Sequence, residues 1–115
     1  KLAYLTDNEL NPPYHKQGDF LDWTRFSKEV DLLIHDAQYL PQDMPMKHGW
    51  GHSLAEEAVK LAMAGQVKML ALYSHDHMRT DEDIDKINHD CQELIRAAQS
   101  SLICFPAAEG QEIQL

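Results

Sequence analysis

Apolar and polar positions along this chain switch between a period of two and a period near 3.6, and each switch marks an element. "LAYLTD", residues 2–7, has the alternation and aromatic content of a short strand that ends at an acid. "NELNPPYHKQGD", with paired prolines, Asn and Gly, reads as loop. In "FLDWTRFSKEV" the apolar residues Phe20, Trp23, Phe26 and Val30 recur at steps of three and four, which predicts a short amphipathic helix. A buried strand, Leu32 to Ile34, follows and ends in His35 and Asp36. "LPQDMPMKHGWGH" is a second long loop, punctuated by Pro41, Pro45, Gly49 and Gly51.

The second half is more regular. Ser53 and Glu56 have the spacing of a capping box, and Ala55, Ala58, Val59, Ala62 and Met63 line one helical face, with Gly65 placed to end it. The next strand runs from Lys68 to His75. Thr80 is the expected cap of a further helix whose apolar face is Ile84, Ile87, Cys91, Leu94, Ile95 and Ala98. "SLICFPA" reads as a last buried strand, and "EIQL" as an edge strand after Gly110. Strands alternating with helices predict an α/β layered fold in one unit, without repeats, low-complexity tracts or an internal linker.

Composition narrows this picture. At 115 residues and 43% apolar content, the chain is long enough for one domain with a real core. Nineteen acids against ten bases give a net charge of −9, which argues against direct nucleic-acid binding through the chain's own basic charge. An anionic substrate remains compatible if bound cations supply the positive charge. Cys91 and Cys104 are too widely spaced for a C-x-x-C site and read as reduced core thiols, so a cytoplasmic setting is expected. No apolar run approaches the length of a membrane span, and no membrane association is expected. The chain begins almost directly as a strand without an initiating Met, as a fragment or a mature chain would.

Chemistry collects at the strand ends. The first ends in Asp7, the second in His35-Asp36 and the third in His75-Asp76-His77, while His52 lies in the Gly-rich loop before a helix. In open α/β sheets the carboxyl ends of the strands are where ligands bind. A single Asp or His there is ordinary loop; three loaded ends on one edge are not. His and Asp are the nitrogen and oxygen ligands taken by zinc and similar ions. Asp7 and His75 are the first candidates as metal ligands. Asp36 is either a partner that orients a His or a strand terminator, and His35 and His77 divide between site and loop. Gly49 and Gly51 exclude a helical ligand pair of His48 and His52. His89 falls on a charged helix surface, and His15 in a Pro-rich loop carries no signal.

"YLTDNE", "DLLIHDAQY", "GWGHS" and "LALYSHDHMRTDED" resemble, in order, the C-terminal half of metallo-β-lactamase-fold hydrolases, in the branch of tRNase Z and related phosphodiesterases. The resemblance runs from Leu2 to about Asp83. It implies the C-terminal half of a four-layer αββα sandwich, with a mixed β-sheet and flanking helices. It further implies two divalent metal ions, zinc first, manganese or iron as alternatives. Asp7 matches the acid that bridges them and His75 the ligand of the second ion. Asp36 and His52 match the pair that protonates the leaving group, as the catalytic residues of phosphodiester hydrolysis.

The sequence departs from that pattern in three places. Ser74-His75-Asp76-His77 stands where relatives read His-His-Asp-Pro, which leaves His77 outside the motif. Asp36 is shorter than the usual Glu. The H-x-H-x-D-H run that supplies most ligands is absent. The expectation is therefore a C-terminal piece, inactive alone, whose sheet face is covered by the N-terminal half of the same domain or by a second copy. The substrate would be a phosphodiester or another small molecule. The competing expectation is a non-catalytic regulatory or oligomerisation domain. A magnesium-binding receiver fits the histidines and "GWGHS" poorly.

Overall fold

The computed structural model describes residues 1–10, 20–43 and 46–115. His15 and most of the first loop, like Pro45, lie outside the described residues. The strands are β1 (Leu2–Leu5), β2 (Leu32–Asp36), β3 (Met69–Tyr73) and β4 (Ile103–Pro106), with helices α1 (Phe20–Phe26), α2 (Ala55–Ala64) and α3 (Asp81–Ala97) between them. A 3-10 turn covers Pro41–Asp43. The sheet order is β1-β2-β3-β4. All three pairings are parallel, so the described part of the sheet is not mixed as expected; its strands are joined by helical crossovers.

Register decides what each face does. Ala3, Leu33, Leu70 and Cys104 are partners across the sheet, and with Leu5 and Leu72 they join the core cluster together with Ala58, Val59, Ile87 and Ile95 of the helices. Right-handed crossovers taken in strand order place every helix on that one face. The alternate positions carry Leu2, Leu32, Met69 and Ile103, then Tyr4, Ile34, Ala71 and Phe105. None of these joins the core cluster. Leu2 (58%), Tyr4 (54%) and Ile103 (59%) are exposed, and the Tyr4 and Tyr73 rings lie 6.0 Å apart on the same side. One face is packed; the other is an apolar surface without a helix layer among the described residues.

The helices obey their sequence signals unevenly. Alanines at 55, 58 and 62 let α2 approach the sheet closely, and Leu61 is also fully buried because α1 and α3 flank this helix. α1 is peripheral: Trp23 packs on the core and Val30 is buried, but Phe20 and Phe26 remain exposed. Gly65 ends α2, although the left-handed residue is Gln66 (φ 55°). "EIQL" forms no strand. Thr80 caps α3 as expected: its hydroxyl accepts from the Asp83 N–H at 3.1 Å, and the Thr80 N–H donates back to the Asp83 carboxylate at 2.9 Å. Thr80→Ala is expected to cost about 1 kcal/mol, read as a shift in the urea midpoint with unchanged slope.

The expected Ser53 box does not form. Leu54 is the N-cap of α2 and no side chain caps it. Ser53 is fully buried instead, accepting from the Leu10 N–H (3.0 Å) and donating to the Asn8 carbonyl (2.5 Å). A hydroxyl already paired on both sides by the segment after β1 is not available to the helix end.

Candidate functional site

β1, β2 and the loop before α2 converge at the carboxyl edge of the sheet. Asp7 stands two residues past β1 in a left-handed conformation (φ 47°), and its side chain is 82% exposed. Asp is among the few side chains that tolerate this backbone.

Asp36 is the opposite case, fully buried at the end of β2. Its Oδ1 accepts the Gln38 and Ser53 N–H groups, each at 3.2 Å, and its Oδ2 accepts from Nδ1 of His52. A buried carboxylate is tenable when its lone pairs are used in this way. With Nδ1 held by Asp36, the His52 ring presents Nε2 as its remaining polar atom. Tyr39 stands edge-on against this ring (centroids 5.5 Å, 87°). Tyr39 is itself 2% exposed and therefore packs the histidine rather than lining an open cleft.

The loop carrying His52 is held from beneath by a residue that the sequence reading did not single out. Glu9 is 5% exposed, and its two carboxylate oxygens accept the N–H groups of Gly49 (2.7 Å) and Gly51 (3.0 Å). Both glycines have positive φ, 97° and 91°, which is what turns their N–H groups toward one carboxylate. His48 approaches the same acid, with Nε2 3.8 Å from Oε1. On the far side, Lys47 donates to Asp76 (3.1 Å) and Arg79 to Asp43 (2.5 Å), tying Asp43 and Lys47 to the turn after β3. Lys47 and the Met78 N–H hold the Asp76 carboxyl below the usual range, the backbone donor contributing most.

The remaining histidines separate. His77 is 90% exposed on the turn. His89 is exposed on α3. His35 is fully buried; its Nδ1 lies 2.7 Å from the Asp36 carbonyl and so carries the proton, while Nε2 has no partner among the described residues. Burial pushes its pKa down. His75 has both ring nitrogens buried and, among the described residues, no partner with good hydrogen-bond geometry; burial lowers its pKa, and a looser approach to the Leu72 backbone acts against that shift. Such nitrogens at a strand end offer the donor chemistry that a metal ion takes.

Among the described residues, the ligand atoms of Asp7, Asp36 and His52 lie within 4.8 Å of one another, and the Asp7 Oδ1 to His52 Nδ1 distance is 3.8 Å. That spacing is compatible with donors about 2 Å from a common ion. His75 is not a member of this group. Asp36 is already engaged by three donors, one of them Nδ1 of His52, so the Asp7 carboxylate is the member of the group left open to an ion. A metal fits the donor chemistry of this edge, and the edge alone falls short of a full coordination shell. A cavity of about 260 Å³ between residues 40–42, α2 and α3 is separate, and none of Asp7, Asp36 or His52 lines it.

The half-covered parallel sheet matches part of a metallo-β-lactamase fold. The structure of the metallo-β-lactamase-fold protein YhfI from Bacillus subtilis superposes with a TM-score of 0.67 at 18% identity, over 96% of this chain and 38% of that one. In sequence the chain is related to ribonuclease Z. It is 35% identical to the Brevibacillus brevis enzyme over 83 residues, covering 72% of the chain and 24% of the relative. Against ribonuclease Z of Thermococcus sibiricus it is 32% identical over 103 residues, 80% of the chain and 32% of the relative. A shorter stretch of 45 residues is 47% identical to ribonuclease Z of Saccharolobus solfataricus, covering 39% of the chain and 15% of the relative. No family model matches. The chain thus spans between 15% and 32% of the length of these relatives.

Proposed function

We propose that this chain supplies one side of the active site of a metal-dependent phosphodiester hydrolase. The observation that carries the reading is the fully buried Asp36 holding Nδ1 of His52 beside the exposed Asp7 carboxylate. In this reading Asp7 and His75 are ligands of two divalent ions, zinc before manganese or iron. Asp36 and His52 handle the proton. Bound divalent ions supply an acidified water and the positive charge that a −9 chain lacks for an anionic substrate. Asp36 fixes the ring by accepting a hydrogen bond from its Nδ1–H, and the imidazolium gives its Nε2 proton to the departing oxygen, leaving a neutral ring.

The uncovered sheet face and the missing ligands point to the same remedy. We propose that the chain is the C-terminal part of one metallo-β-lactamase-like domain, and that its N-terminal half, or a second copy, packs on Leu2, Tyr4, Ile34 and Ile103. The free, buried thiols of Cys91 and Cys104 support a cytoplasmic setting within this reading. No helix among the described residues is long and apolar enough to cross a membrane.

In the completed protein, hydrolysis of bis(p-nitrophenyl) phosphate is expected to fall to background after chelation and to return with added zinc or manganese. Equal turnover with and without metal would contradict the proposal. The open sheet face also favours a second reading, a non-catalytic docking domain. A completed protein inert with each metal would select it.

A further inference from the structure

α3 turns its buried residues, Ile87, Cys91 and Ile95, toward the core, and β4 presents Cys104 to the same core cluster. The Gln92 side-chain amide donates to the Cys104 carbonyl at 2.7 Å, which sets its neighbour Cys91 against β4. The two side chains meet thiol to thiol, with Cys104 as donor and the Cys91 sulfur as acceptor. That contact holds the Cys91 thiol below the usual range, against burial and the nearby Asp90 and Glu56 carboxylates. The same contact, with burial, pushes Cys104 up. Cys91 also lines the cavity of about 260 Å³, alongside Leu40, Ala55, Ile87 and Leu94. One sulfur thus has a partner thiol on one side and space for a small molecule on the other. Neither cysteine belongs to the group at the sheet edge.

We infer that Cys91 and Cys104 are an oxidisable pair, a modification site for a small peroxide that enters through this cavity and closes a disulfide between α3 and β4. Cys91 is the attacking thiol, since it faces the cavity. Its sulfur bonds to one peroxide oxygen, the O–O bond breaks, and the thiol proton leaves with the other oxygen as water, so Cys91 becomes a sulfenic acid. The Cys104 sulfur then attacks the sulfenic sulfur, the S–O bond breaks, and the Cys104 proton leaves with that oxygen as a second water. Two thiols are oxidised to one disulfide, and one hydrogen peroxide is reduced to two waters. A small dithiol reverses the step by exchange. The inference goes beyond the hydrolase reading and does not depend on it.

The test uses the 115-residue chain, in which Cys91 and Cys104 are the two cysteines, shown folded by circular dichroism. After treatment with hydrogen peroxide and unfolding, both thiols should be lost to iodoacetamide, and the intact mass should fall by two hydrogens. Digestion should give one peptide linking the two positions within a single chain, and dithiothreitol should restore both thiols. In Cys104→Ser the reaction should stop at the Cys91 sulfenic acid, captured by dimedone, whereas Cys91→Ser should show little capture at Cys104. Glutathione disulfide, too large for the cavity, should leave both thiols free over the same period. Thiols that stay alkylatable after peroxide, or a disulfide formed only between two chains, would overturn the proposal. So would capture at Cys104 in place of Cys91, or oxidation by glutathione disulfide as fast as by peroxide. The unsubstituted chain decides the first result, which therefore does not depend on either serine variant folding.

Discussion

His52→Ala is expected to lower phosphodiester turnover by the completed protein by about 10²–10⁴-fold, the range that positioned proton transfer contributes. The ring is mostly buried and pairs with the fully buried Asp36, so the substitution also costs some stability, and turnover is read on protein shown folded by circular dichroism. Asp36→Asn should follow it closely. An amide can still accept from the Ser53 and Gln38 N–H groups, but it no longer presents a charged acceptor to Nδ1, so the ring loses its fixed orientation. Steady-state kinetics check both. A substitution at His52 that changed KM and left kcat intact would assign the ring to binding and remove it from proton transfer.

The second large effect is expected at the sheet face and far from the chemistry. Ile103→Asp should leave the isolated chain close to its original stability, because Ile103 is 59% exposed on the edge strand β4. Assembly with the other half should fail, since packing a second layer there would bury an unpaired carboxylate. The cost is about 3–5 kcal/mol for an uncompensated buried charge, or more than a hundredfold in association. Titration of the two halves by sedimentation or calorimetry measures it. Unchanged association would mean that this face is not where the partner sits.

Sequence spacing was a good guide wherever an element's partners are local. Thr80 and Asp83 are three residues apart, and their reciprocal bonds are present. The alternating β and α order, the apolar face of α3 and the loaded strand ends follow from the same kind of short-range pattern. The resemblance added the pairing of Asp36 with His52, sixteen residues apart, and the two side chains do meet. The failures share the opposite cause. Ser53 and Glu56 have capping-box spacing, but the Ser53 hydroxyl is taken by Asn8 and Leu10, more than forty positions upstream. Glu9 braces Gly49 and Gly51 across a similar gap, and only the acid following "YLTDN" hinted at it. Local spacing does not separate the two aromatic loop residues Tyr39 and Trp50. Tertiary packing buries Tyr39 against His52 and leaves Trp50 in solvent. The mixed sheet came from the resemblance alone, and the described strands are all parallel.

The most direct test of the account is the transition-metal content of the completed protein and of its Asp7→Asn variant, after loosely bound ions are removed. About two ions per chain are expected in the first and fewer in the second, since Asp7 is proposed as one of their ligands. Equal metal in the two proteins would contradict the role given to Asp7. No metal in either would contradict the hydrolase itself.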